Sequence, residues 1–153
     1  MKGLTNGYLN ELCSKFVQNF CGVFSCDDFE KIVKKIENNQ SYLVNLSSSN
    51  HPGSHFVAIF KSKSVIYFDS FGISCFDKNI LKVLARSCDN FLYSNVCIQS
   101  INSDFCGIFC SAFVMKMQKC SLNSFLSMFH HNELLRNDQI AVNIVKEFIN
   151  QVK

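Results

Sequence analysis

The sequence predicts an α+β fold built as one domain over residues 1–153. Three observations point there. Apolar residues recur at helical spacing near both ends of the chain, in 7–20 and 138–152. Between residues 41 and 69 three short, nearly continuous apolar runs read as strands. Residues 108–118 (IFCSAFVMKMQ) are apolar almost all round, as expected of a helix at the centre of a core. A central mixed sheet packed against that helix, with flanking helices outside, satisfies all three. With 48% apolar and 18% charged residues, a chain of 153 can bury a real core without disulfide staples, and disorder is excluded.

The first helix is expected over 7–20, with Tyr8, Leu9, Leu12, Phe16, Val17 and Phe20 on one face and Cys21-Gly22 as its stop. A short extended piece follows at 23–26. Asp27, with Glu30 three positions on, has the pattern of a capping box. The helix it opens carries Phe29, Ile32, Val33 and Ile36 inward, turns Lys31, Lys34 and Lys35 to water, and stops at Asn38-Asn39. Strands are expected at 41–46 (SYLVNL), 55–60 (HFVAIF) and 64–69 (SVIYFD), with a turn at 47–53 and a hairpin turn at 61–64. Asp77 caps a third helix carrying Ile80, Leu81, Val83 and Leu84. Residues 92–100 read as a further strand, 101–105 as a loop, and a helix starts near Cys106. A short helical or irregular segment at 121–131 precedes the amphipathic tail, whose inner side is Ile140, Ile144, Val145, Phe148 and Ile149.

No apolar run reaches the roughly 18–20 residues of a membrane span. Met1–Asn6 has no apolar core or cleavage site, so no secretory signal is expected. The net charge of +3 comes from scattered basic residues, which permits contact with nucleic acid without predicting it. The nine cysteines are odd in number, which argues against a secreted disulfide framework. No Cys-x-x-Cys pair occurs; the nearest pairs are Cys21 with Cys26 and Cys106 with Cys110, so structural zinc is disfavoured and no cofactor is expected. Most of the cysteines sit beside Phe, Val or Ile and are expected to be small, reduced, buried hydrophobes.

One of them stands in a different context. Cys106, followed by Gly107, lies where a polar loop becomes a helix. A thiol at a helix N-terminus meets the positive end of the dipole and unpaired N–H groups, which favour thiolate. His130-His131 lie in a polar, exposed stretch and His51 in a turn, whereas His55 opens a buried strand. Asp69 ends the next strand, so a hairpin would make His55 and Asp69 cross-strand neighbours. The carboxylate can then orient the imidazole and balance its charge. Gln99, seven residues before Cys106, can supply an amide donor to an oxyanion.

In the order His, Asp, Gln, Cys, these residues sit in three blocks: Gly53-Ser54-His55-Phe56-Val57-Ala58, Tyr67-Phe68-Asp69-Ser70-Phe71-Gly72, and Gln99 through Asn102-Ser103-Asp104-Phe105-Cys106-Gly107-Ile108-Phe109-Cys110. Together, over roughly residues 40–115, they resemble the adenovirus-type cysteine endopeptidases, the adenains. The resemblance implies a papain-like cysteine protease fold. It makes His55 the general base, Asp69 its orienting acid, Cys106 the nucleophile and Gln99 the oxyanion donor. Phe56 stands where the family usually has tryptophan, and Ser70 where it usually has proline.

By the same resemblance, the expected function is a viral endopeptidase that cuts capsid and core precursor proteins during virion maturation. It would act in the virion and host nucleus, as a monomer and without a membrane partner. DNA and a viral peptide are the family's activators and so candidate partners. Cys97 lies closer to Gln99 than the family's peptide-binding cysteine would, so no residue is assigned to that peptide. A deubiquitinase or SUMO-protease is the alternative enzyme; the chain has no extra segment to build a ubiquitin-sized docking surface. A catalytically inactive module on the same fold, and a zinc or redox protein, are weaker alternatives.

Overall fold

The computed structural model describes residues 4–51 and 54–152. In chain order its elements are α1 (Asn6–Phe16), β1 (Phe20–Ser25), α2 (Cys26–Ile32), β2 (Ser41–Asn45), β3 (Phe56–Lys61), β4 (Val65–Phe68), α3 (Lys78–Ser87), β5 (Phe91–Tyr93), α4 (Cys106–Lys116), α5 (Leu122–Leu126), a 3-10 turn (Leu134–Arg136) and α6 (Asn137–Asn150). The strands form one mixed sheet in the order β1-β2-β3-β4-β5. Its centre, β2-β3-β4, is antiparallel, and the outer pairs β1-β2 and β4-β5 are parallel.

The continuous apolar runs are explained by cover on both faces. Leu43, Phe56, Ala58, Phe60, Ile66 and Phe68 face α1, α4, α5 and α6. The alternate residues Tyr42, Val44, Val57, Ile59, Val65 and Tyr67 face α2 and α3. Nine of the eleven residues of α4 are buried, which is why that helix shows no polar side. Phe113 of α4 stacks on Phe68 with ring centroids 4.6 Å apart, and Phe125 meets both edge-on.

Three expected elements are shorter than their apolar patterns. Helix α1 stops at Phe16, not near Phe20: Val17 is extended, Asn19 adopts a positive φ, and Phe20 pairs with Ser41 in the sheet. Strand pairing overrides helical spacing there, and Tyr8 is exposed rather than inward. Helix α2 begins at Cys26 and ends at Ile32, leaving Ile32 exposed. Asp27 does not cap it; its carboxylate takes the N–H and hydroxyl of Ser49 at 2.8 and 2.7 Å. Glu30 pairs with Arg86, whose guanidinium also donates to the carbonyls of Val33 and Lys34 and so terminates the helix. The strand expected over 92–100 is confined to Phe91–Tyr93. Beyond it the chain leaves the ladder, although Ile98 remains fully buried.

The hairpin β3-β4, its turn at 61–64, and the Asp77 cap of α3 occur as expected. Of the turn expected over 47–53, the His51 N–H bonds the Ser48 carbonyl at 3.1 Å, and Pro52-Gly53 lie outside the described residues. All nine cysteines are free thiols: four are buried, three half-buried, and Cys21 and Cys97 are exposed. Among the described residues no helix is long and apolar enough to cross a membrane, and no group of three His, Cys, Asp or Glu side chains could hold a metal ion.

Candidate active site

His55 stands just before β3 and Asp69 just after β4. The β3-β4 register, with Ala58 opposite Phe68, when carried outward puts Phe71 opposite His55 and Asp69 diagonal to it. The side chains agree. His55 stacks on Phe71 with ring centroids 4.9 Å apart, and its Nε2 lies 2.9 Å from Asp69 Oδ1. The same Oδ1 accepts the Phe71 N–H at 2.8 Å, so the turn that follows β4 fixes the carboxylate. Ser94 brackets the Asp69 backbone, receiving its N–H and donating to its carbonyl. Asp69 is buried behind the imidazole, and the His55 side chain is 16% exposed, enough to meet the cleft.

Burial works against charge on His55. The Asp69 carboxylate and then the Cys106 thiol outweigh it and lift the imidazole pKa from 6.5 to about 9. Because Nε2 is engaged by Asp69, the other ring nitrogen is left for the thiol. Cys106 is the first residue of α4, and its preceding residue, Phe105, provides no side-chain cap. The first-turn N–H groups therefore have no side-chain acceptor of their own at this end. Behind the thiol, Gly107 admits α1 closely: a Cβ there would sit 2.9 Å from Leu9 Cδ1.

Gln99 is not at a strand end but in the loop between β5 and α4. The loop is nevertheless tightly held. Ser70 O accepts the N–H groups of both Ile98 and Gln99, at 2.9 and 3.1 Å. Asn137, fully buried at the start of α6, donates to the Ile98 carbonyl at 2.8 Å. The Gln99 side chain is itself buried; its Nε2 donates to the Ser103 carbonyl at 2.7 Å and its Oε1 accepts the Ser70 hydroxyl.

His55, Gln99 and Cys106 line a single cleft of about 770 Å³. Its rim is polar. It includes Asn45, Ser47, Ser48, Ser54, Ser103 and Asp104, and also His51, whose Nδ1 lies 2.7 Å from Ser48 Oγ. Sequence reasoning missed Asn45, whose Oδ1 receives the N–H groups of Ser47 and Ser54 and so closes the neck of the loop leading into His55. It also missed Asn137 and Asp138, which hold the Gln99 loop from behind, Asp138 through Ser103 Oγ at 2.7 Å. A polar side chain on an apolar helix face, as Asn137 is, was the one available signal. A thiol at a helix start, an imidazole made basic by a buried carboxylate, and amide donors nearby can together acylate and deacylate sulfur.

The architecture defines the class: an α+β chain with the papain-like cysteine protease fold. No protein-family model matches the sequence, and no curated protein matches it. Among solved structures the chain is similar to the ASFV pS273R protease, at 20% identity and a TM-score of 0.57 over 86% of this chain. It spans 64% of the length of that protease. It is also similar to the central domain of the uncharacterized Lpg1148 protein from Legionella pneumophila, at 13% identity and a TM-score of 0.55, covering 97% of this chain and 99% of the other. Identities this low carry the fold alone.

Proposed function

We propose that this protein is a cysteine endopeptidase of the adenain type that cleaves viral precursor proteins during particle maturation, with DNA and a viral peptide as candidate activators. The observation that carries the chemistry is the 2.9 Å contact between His55 and buried Asp69 at the cleft that also holds Cys106. In this reading Cys106 Sγ, as thiolate, attacks the substrate carbonyl carbon. The oxyanion is received by Gln99 Nε2 and by N–H groups at the start of α4. The imidazolium of His55 protonates the leaving amine as the C–N bond breaks. Water, deprotonated by His55, then hydrolyses the thioester and frees the thiol. The three sequence blocks around His55, Asp69 and Gln99–Cys106 support the adenain type, and the likeness in fold to the ASFV protease supports a cysteine protease more broadly.

The test is cleavage of a proteome-derived peptide library, read by mass spectrometry of new termini. Wild type should generate cleavages, and Cys106→Ala should lower their rate by at least ~10⁴-fold while keeping the same circular dichroism spectrum. Equal cleavage by the two proteins would contradict the proposal.

A further inference from the structure

The geometry points to Ser70 as a positioning residue: its hydroxyl anchors the amide of Gln99 in the orientation, set by the Ser103 carbonyl, that aims nitrogen, not oxygen, at the oxyanion. This inference rests on the thiol-protease reading and deepens it.

The orientation of Gln99 follows from acceptor chemistry. The Ser103 carbonyl 2.7 Å away can only accept, so Gln99 must present Nε2 to it. Oε1 then faces Ser70, whose hydroxyl donates to it. Nε2 has two hydrogens, and the Ser103 carbonyl takes one. The other reaches Ser103 Oγ only at 3.5 Å, and that oxygen also accepts the Phe105 N–H at 3.3 Å. That second N–H is therefore only loosely held and can turn to an oxyanion in the cleft that Gln99 shares with Cys106.

Both Ser70 and Gln99 are buried, at 0% and 1% exposure, so water does not replace a lost partner freely. Without the hydroxyl, Oε1 is left buried and unpaired, and the amide gains by turning or retracting. Ser70 acts twice, because its carbonyl also receives the Gln99 and Ile98 N–H groups. Substitution of the side chain removes the first action and keeps the second.

Two electrophiles separate the donor from the nucleophile. Iodoacetamide alkylates sulfur by displacement, with iodide leaving, and creates no oxyanion. p-Nitrophenyl acetate acylates it: Sγ bonds to the acetyl carbon, an oxyanion forms, the ester C–O bond breaks, and p-nitrophenolate departs with the electron pair. Both rates are measured at Cys106 in wild type, Ser70→Ala, Gln99→Ala and the double variant. Acylation by Ser70→Ala should fall about tenfold, part of the loss that removal of an oxyanion donor produces, while alkylation stays within twofold. The double variant should acylate no more slowly than Gln99→Ala.

Ser87→Ala is the control for simple destabilisation. Ser87 is also buried and bridges Ile36 N–H to the Val83 carbonyl far from the cleft, and its loss should leave the rate ratio unchanged. If Ser70→Ala does not fold, Ser70→Cys, a weaker donor of similar shape, should lower the same ratio. An unchanged ratio in the folded Ser70 variant, or equal losses with and without Gln99, would overturn the role of Ser70 alone. Absence of any Cys106-dependent acylation in wild type would overturn the protease reading and this inference with it.

Discussion

At the scale of single residues, the charge on His55 is the quantity on which the proposed activity turns. Its pKa is raised to about 9, so the imidazolium persists through neutrality and is lost as pH rises through 9. Activity that needs a protonated ring to release the amine should therefore have an alkaline limb of kcat/KM near pH 9. Asp69→Asn removes the carboxylate that holds the proton. The limb should move down toward the ordinary value of 6.5, and the rate at pH 7.5 should fall about 10²-fold without vanishing. An unmoved limb would remove Asp69 from the site. The placement of His55 beside Asp69 was legible because one opens and the other closes consecutive apolar runs. Their contact is diagonal, with Phe71 opposite the imidazole, and no period of two could reveal that. Asn137 escaped because its partner, the Ile98 carbonyl, is a backbone group 39 residues away, and Asn45 because it ends an otherwise apolar strand and bonds only the backbone of the loop that follows.

At the scale of elements, close approaches at two glycines hold the loops that carry the site. Gly72 has φ +73, and a Cβ there would lie 2.7–2.9 Å from the backbone of Val96 and Cys97, in the segment leading to Gln99. Neither the left-handed φ nor fixed backbone can yield, so Gly72→Ala should cost more than ~2 kcal/mol and disturb Gln99. Gly107→Ala meets only the far end of the Leu9 side chain, which can rotate, and alanine favours a helix. Its cost should stay within about 1 kcal/mol. Urea denaturation of both variants checks the ranking, and equal losses would contradict it. The same scale shows where sequence patterns mislead. Phe20 fits a helical face and a strand equally well, and the parallel pairing with β2 decides. The α2 helix is cut short by Arg86, more than fifty residues away. By contrast, α4 and the β3-β4 hairpin were legible, since burial on nearly all sides leaves only Ser111 within α4 and a lysine at the end of α4 and of β3 as polar residues.

At the scale of the molecule, a sheet covered on both faces supports a cleft at the end of one hairpin. The aromatic cluster of Phe68, Phe113 and Phe125 joins the sheet to α4 and so sets where Cys106 stands relative to His55. Phe113→Ala should cost roughly 3–5 kcal/mol and lower Tm by about 10 °C. Phe76→Ala, at a 65% exposed residue, should change stability by less than about 0.5 kcal/mol. Scanning calorimetry separates the two, and similar shifts would mean that the α4-sheet seam is not the dominant core.

The most direct test of the central claim is the rate at which iodoacetamide labels each cysteine at pH 6, mapped by peptide mass in wild type and His55→Ala. Cys21 and Cys97 are exposed and Cys106 only half-buried, so access alone would make the first two fastest. An activated thiol paired with His55 reverses that order: Cys106 should label at least tenfold faster than either, and lose the advantage in His55→Ala. Fastest labelling at Cys21 or Cys97, or a Cys106 rate indifferent to His55, would contradict the account.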